Sequence, residues 1–119
     1  MRWLVLAALL IGAVGCSKKD DYSIKGLNRK LDSTNPATRY EAARKLGKQG
    51  AKDAVPKLTE MLEDPDATVR MGAAYALADI GPDADSAVSA LQQALKDKDR
   101  GVSEAAAYAL KQIQPKKKK

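Results

Sequence analysis

The chain contains no histidine and no phenylalanine, a single cysteine at Cys16, and only one Trp and four Tyr. Without His there is no imidazole base and no His-ligated metal centre. One Cys excludes an intramolecular disulfide, a Cys-cluster zinc site and an iron–sulfur cluster held by this chain's thiolates alone. The acid–base chemistry left is that of Asp, Glu, Lys and Tyr. Strand-like alternation is missing too, and Phe, Ile and Val are too scarce to fill a sheet core. What is there is an ordinary globular balance, 45% hydrophobic and 30% charged, in 119 residues. That length suits one small domain.

The first sixteen residues stand apart. Met1 and Arg2 form a short positive start and Trp3 to Val14 an uncharged apolar run; Gly15 and Cys16 then precede the polar stretch Ser17-Lys18-Lys19-Asp20-Asp21. The run is shorter than the ~20 residues that cross a bilayer. It fits the apolar region of a secretory signal ending in small residues. Ala13-Val14-Gly15-Cys16 resembles the lipobox of bacterial lipoproteins, with Ala13 where Leu is favoured. The resemblance implies residues 1–15 as a signal peptide, a diacylglyceryl group on the Cys16 thiol, and residues 16–21 as lipidated Cys and linker. It places the protein, exported and held by lipid, at the periplasmic face of an outer membrane where the organism has one, and otherwise at the cell membrane. Two or three acyl chains, at ~0.8 kcal/mol per buried methylene, anchor stably where one does not.

From residue 22 to 114 the chain repeats itself. Ile24, Leu27 and Leu31 have the spacing of one helix face; Val55, Leu58 and Leu62 repeat it 31 residues on, and Val88, Leu91 and Leu95 a further 33 residues on. A second apolar set follows each: Ala42, Ala43 and Leu46, then Ala73, Ala74 and Leu77, then Ala106, Ala107 and Leu110. The pattern predicts three helical hairpins, an A and a B helix in each. Asn35-Pro36 and Asp64-Pro65 each place a capping residue before a proline suited to a first turn. Asp97 and Asp99 are cap candidates for the last B helix, and Gly50 and Gly81 fall where B helices should stop. The Ala-rich B helices suit close helix approach.

The stretches Asp53-Ala54-Val55-Pro56-Lys57-Leu58, Leu62-Glu63-Asp64-Pro65-Asp66 and Val69-Arg70 through Ala73-Ala74-Tyr75-Ala76-Leu77 resemble the short HEAT-like repeats of phycobilin lyases and related proteins. The third unit has Ser103 where the pattern has Arg, as an end repeat would. The resemblance implies an all-α solenoid of three HEAT-like hairpins, about six helices; TPR-like packing is the alternative.

Arg39 and Arg70 occupy equivalent positions, near Asp32 and Asp64 of their own units, so each Arg is expected to play a structural part, bonding to Asp or to backbone carbonyls in the turn. Glu63-Asp64-Asp66 and Asp83-Asp85 read as turn and cap acids. No D-x-[DN]-x-[DN]-G calcium loop exists, and no metal, cofactor or catalytic residue is expected. At ~100° per residue, Arg44 points away from Ala43 and Leu46. Its equivalents are Tyr75 and Tyr108, and the neighbouring outward column is Lys48, Asp79 and Gln112. These six residues are the expected partner-binding face, because Tyr offers wide contact area with a polar handle.

Residues 24–52 balance to +6, residues 53–99 to −6 and residues 100–119 to +5, the last mostly from the tail Pro115-Lys116-Lys117-Lys118-Lys119. The net +6 is therefore no sign of nucleic-acid binding, and no aromatics interleave with the tail lysines. The tail reads as a solubilising end, or one that touches anionic head groups or another envelope polyanion. The leading functional reading is a lipid-tethered, non-catalytic scaffold holding a protein partner at the cell envelope. The alternatives are an accessory subunit of an envelope enzyme, by analogy with the lyases, and a purely structural lipoprotein.

Overall fold

The structure, a computed structural model, describes residues 21–114. Within them the chain forms six α-helices: α1 (Ile24–Lys30), α2 (Pro36–Lys48), α3 (Val55–Glu60), α4 (Ala67–Ile80), α5 (Val88–Ala94) and α6 (Arg100–Ile113). Three-residue 3-10 turns, Lys52–Ala54 and Met61–Glu63, flank α3, and a longer 3-10 segment, Gly81–Ala87, leads into α5. Each short A helix packs on the long B helix that follows it, α1 on α2, α3 on α4 and α5 on α6. The B helices form the spine, with α4 packed on α2 to one side and α6 to the other.

Helix ends follow the local chemistry. Asn35 caps α2, its side chain accepting from the Ala37 N–H, with Pro36 as the first helical residue. Asp66 caps α4, accepting from Thr68 and Val69, and Asp99 caps α6. This corrects one expectation: Asp64 is not the α4 cap and Pro65 lies outside the helix, because Asp64 is used two residues earlier, where its side chain accepts from the Asp66 N–H. Gly50 and Gly81 both take positive φ, 64° and 77°, the left-handed conformation that ends a helix at little cost only for glycine.

The core is aliphatic. Leu27, Leu31, Leu46, Leu58, Leu77, Leu91, Val69 and Val102 are the largest fully buried side chains. Alanine fills the space between B helices, and Ala43, Ala73, Ala74 and Ala76 are all completely buried. Gly47 marks the closest approach: a Cβ there would lie 2.6 Å from Ala76 Cα, so α2 and α4 touch backbone to backbone.

The predicted core face holds in the middle repeat and loosens at both ends. Val55, Leu58, Leu62, Ala73, Ala74 and Leu77 are buried, whereas Ile24 and Leu95 are 43% and 42% exposed. Ala107 is exposed and Leu110 half-buried. The reason is positional. Leu62 is covered because its turn packs on α5 of the next hairpin, and Ala74 sits on the helix that α6 covers. Among the described residues nothing follows α6 to cover Leu95 and Ala107, or precedes α1 to cover Ile24.

Candidate functional site

Each of the two arginines braces its own turn, as expected, through a backbone carbonyl, and the structure corrects only which acid it meets. Arg39 on α2 does not bond to an acid of its own turn. Its Nε and Nη2 grip both carboxylate oxygens of Asp64 in the next repeat, each at 2.9 Å, while Nη1 donates to the Ser33 carbonyl of its own turn at 2.7 Å. Arg70 on α4 repeats the arrangement one hairpin on. It grips Asp97 at 2.8 and 3.1 Å and donates to the Asp64 carbonyl at 2.7 Å. A planar guanidinium meeting a carboxylate in this two-pronged way is the strong form of an ion pair. Burial alone would raise the Asp97 carboxyl, but the hydrogen bonds from Arg70 and the Asp99 N–H outweigh it and hold the group below its usual range.

These pairs form a ladder along the stack, and its ends are uncharged. The position of Asp64 and Asp97 is occupied in the first repeat by Ser33, whose Oγ accepts from the Asn35 N–H at 3.0 Å just as Asp97 accepts from Asp99 at 2.9 Å. The position of Arg39 and Arg70 is occupied in the last by Ser103. Asp32, expected in the brace, instead pairs with Lys57 at 2.6 Å. That hydrogen bond raises the Lys57 ammonium above its ordinary value.

The outward column on the B helices is assembled. The Arg44 guanidinium lies 5.3 Å from the centre of the Tyr75 ring, and the Tyr75 and Tyr108 ring centres are 5.9 Å apart, tilted by 56°. Three successive B helices thus present one continuous cation–aromatic ridge. Tyr75 is half-buried and packs against the core, while Tyr108 is 46% exposed.

Arg44 is held unlike Arg39 and Arg70. Its Nη1 reaches the Tyr40 hydroxyl only at 3.5 Å and its Nη2 the Asp79 carboxylate only at 3.6 Å; Nε is buried with no hydrogen-bond partner. Asp79 therefore joins the ridge through Arg44. Lys48 and Gln112, the remainder of the second column, are exposed and make no hydrogen bond or ion pair to the ridge among the described residues. Tyr40 was not singled out in the sequence, because it precedes Arg44 by one helical turn rather than by a repeat length.

Stacked A/B hairpins bridged from repeat to repeat by Arg–Asp pairs define an α-helical repeat protein. The family profile described as HEAT repeats matches residues 24–111, and the chain belongs to that family. No curated protein matches the chain. HEAT repeats generally serve as scaffolds for protein–protein interaction.

Proposed function

We propose that the protein is a non-catalytic scaffold, tethered by lipid on Cys16 at a bacterial cell envelope, that holds a partner protein on the ridge Arg44–Tyr75–Tyr108. The observation that carries the binding face is the contrast between its arginines. Arg39 and Arg70 are saturated by short two-pronged bonds. Arg44 makes only long contacts through its terminal nitrogens, and its side chain is 28% exposed, so a partner's carboxylate or carbonyl can engage those nitrogens without breaking a short brace. Next to it stand two tyrosines, a residue type that is enriched, with Trp and Arg, at the energetic centres of interfaces. Against an enzyme reading, Asp64, Asp66, Asp97 and Asp99 are committed to caps and ion pairs. The tether rests on the resemblance of Ala13–Cys16 to a lipobox, which lies outside the described residues, as does the basic tail.

Two measurements test this reading. Cys16→Ser should either release the folded domain from the membrane fraction or leave the uncleaved precursor; membrane association that persists after verified cleavage would refute the anchor. Tyr75→Ala combined with Tyr108→Ala should weaken the complex recovered from the protein's own membranes by about 2 kcal/mol. A folded double variant that keeps its partner at matched stoichiometry would remove this ridge from the interface.

A further inference from the structure

The charge of the first repeat is not used up by the fold. Residues 24–52 balance to +6. Arg39 is tied to Asp64 and Arg44 faces Asp79, but Lys30, Lys45 and Lys48 have no ion-pair partner among the described residues. Lys30 on α1 and Lys45 on α2 converge: each Nζ lies 4.9 Å from the centre of the same Tyr22 ring. Lys48 follows Lys45 by one helical turn, on the same side of α2. Between them is a notch of about 160 Å³ to which Tyr22, Lys30, Thr38 and Lys45 give polar walls; Glu41 is the one acid lining it. Tyr22 is itself tied down, its carbonyl accepting from Gln49 Nε2 at 3.0 Å.

The path of the chain decides what this surface faces. Cys16 precedes Asp21 by five residues, a reach of at most about 18 Å when fully extended. A lipid on Cys16 therefore holds this end of the stack against the membrane and leaves the acidic middle repeat farther away. The intervening Lys18, Lys19, Asp20 and Asp21 cancel in charge, so the lysines of the first repeat set the sign of what approaches the bilayer. Charges within a screening length of ~8 Å feel an anionic surface strongly.

We infer that the notch between Lys30 and Lys45, with Lys48 beside it, docks the first repeat onto anionic phospholipid head groups and so fixes the orientation of the stack on the membrane. The inference rests on the lipid anchor of the proposed function. Lys30 and Lys45, with Tyr22 and Thr38, line a space large enough for a phosphodiester, and the Tyr22 ring on which both ammonium groups rest leaves them partly covered.

The test uses the whole lipidated protein in lipid nanodiscs, with lysine accessibility read by amine labelling and peptide mass spectrometry. Discs containing phosphatidylglycerol should reduce labelling of Lys30 and Lys45 by about fivefold relative to pure phosphatidylcholine discs, with Lys96 and Lys111 unchanged and the protection lost at high salt. Lys30→Glu with Lys45→Glu should abolish the lipid-dependent protection of Lys48. Equal labelling in both discs would overturn the docking surface. So would equal protection by millimolar inorganic phosphate or by polyglutamate, which would mark a general anion or acidic-protein site. Acylation of Cys16, read on the same sample, separates the two proposals: acylation without protection refutes the docking alone, and protection without acylation refutes the anchor alone.

Discussion

Leu77→Ala should lower the unfolding free energy by about 4 kcal/mol, read as a shift of the denaturation midpoint in urea followed by helical circular dichroism. Leu77 is completely buried in α4, the one B helix with neighbours on both sides. The buried residues of the three B helices are mostly alanines, which have no side-chain length with which to close a cavity, so the loss falls at the upper end of the range for Leu→Ala. A domain of this size has a total stability of order 5 kcal/mol, so the variant keeps about 1 kcal/mol and roughly one molecule in six should be unfolded at 25 °C. Leu95→Ala is the control. Its position in the repeat is that of Leu62, but it is 42% exposed, and its loss should stay within about 0.5 kcal/mol. Equal effects at the two leucines would mean that the ends of the stack are covered by something beyond the described residues.

The contrast between Leu77 and Leu95 also shows what periodicity can and cannot reveal. Spacing along one chain identifies the face each helix turns inward, and it placed all three hairpins. It treats the repeats as identical, though burial in a stack depends on the neighbour. Ile24, Leu95 and Ala107 carry the pattern without the cover. The Arg–Asp ladder was half legible for the same reason. The equivalence of Arg39 and Arg70 is visible at a lag of 31 residues, and the bond of each to a carbonyl of its own turn follows from it, but adjacency in sequence points to an acid of that same turn, whereas stacking brings the acid of the next turn nearer. The better signal was in the repeat itself: Ser33, Asp64 and Asp97 recur at lags of 31 and 33, the same as the leucines.

The ridge was legible as geometry. A rotation of ~100° per residue is enough to put Arg44, Tyr75 and Tyr108 on one outward column, and the rings meet there. The grip on Arg44 was not legible. Nothing in the spacing distinguishes an arginine held at 2.8 Å from one held at 3.6 Å; that difference comes from where Asp97 and Asp79 sit once the helices have packed. The Tyr22 notch was hidden too, since it joins a residue before α1 to residues on two helices.

Arg70→Ala should destabilise the domain by about 3 kcal/mol, the lower end for breaking a buried ion pair. Both side chains are nearly covered, Arg70 at 11% and Asp97 at 12% exposure, and the guanidinium also satisfies the Asp64 carbonyl. Removing it leaves a carboxylate and a carbonyl short of donors in a place that water reaches poorly. Asp97→Ala should cost a similar amount, and the double variant much less than the sum, giving a coupling energy above about 1 kcal/mol in a double-mutant cycle. The Arg29–Asp21 pair is the exposed comparison, 64% and 41% open to solvent at 3.4 Å, and Arg29→Ala should leave the midpoint unchanged. The pH dependence gives an independent check. The Asp97 carboxyl is held below its ordinary range in the folded protein. Its contribution is therefore complete above the unfolded-state value of ~3.9 and is lost as pH falls through the lower folded-state value. The stability gap between the native chain and Arg70→Ala should be flat from pH 5 to 8, taking ~1 unit of margin above that value, and should narrow only on further acidification. A gap that instead closed near neutral pH, or a coupling energy near zero, would show that the Arg70–Asp97 rung does not hold the second and third repeats together.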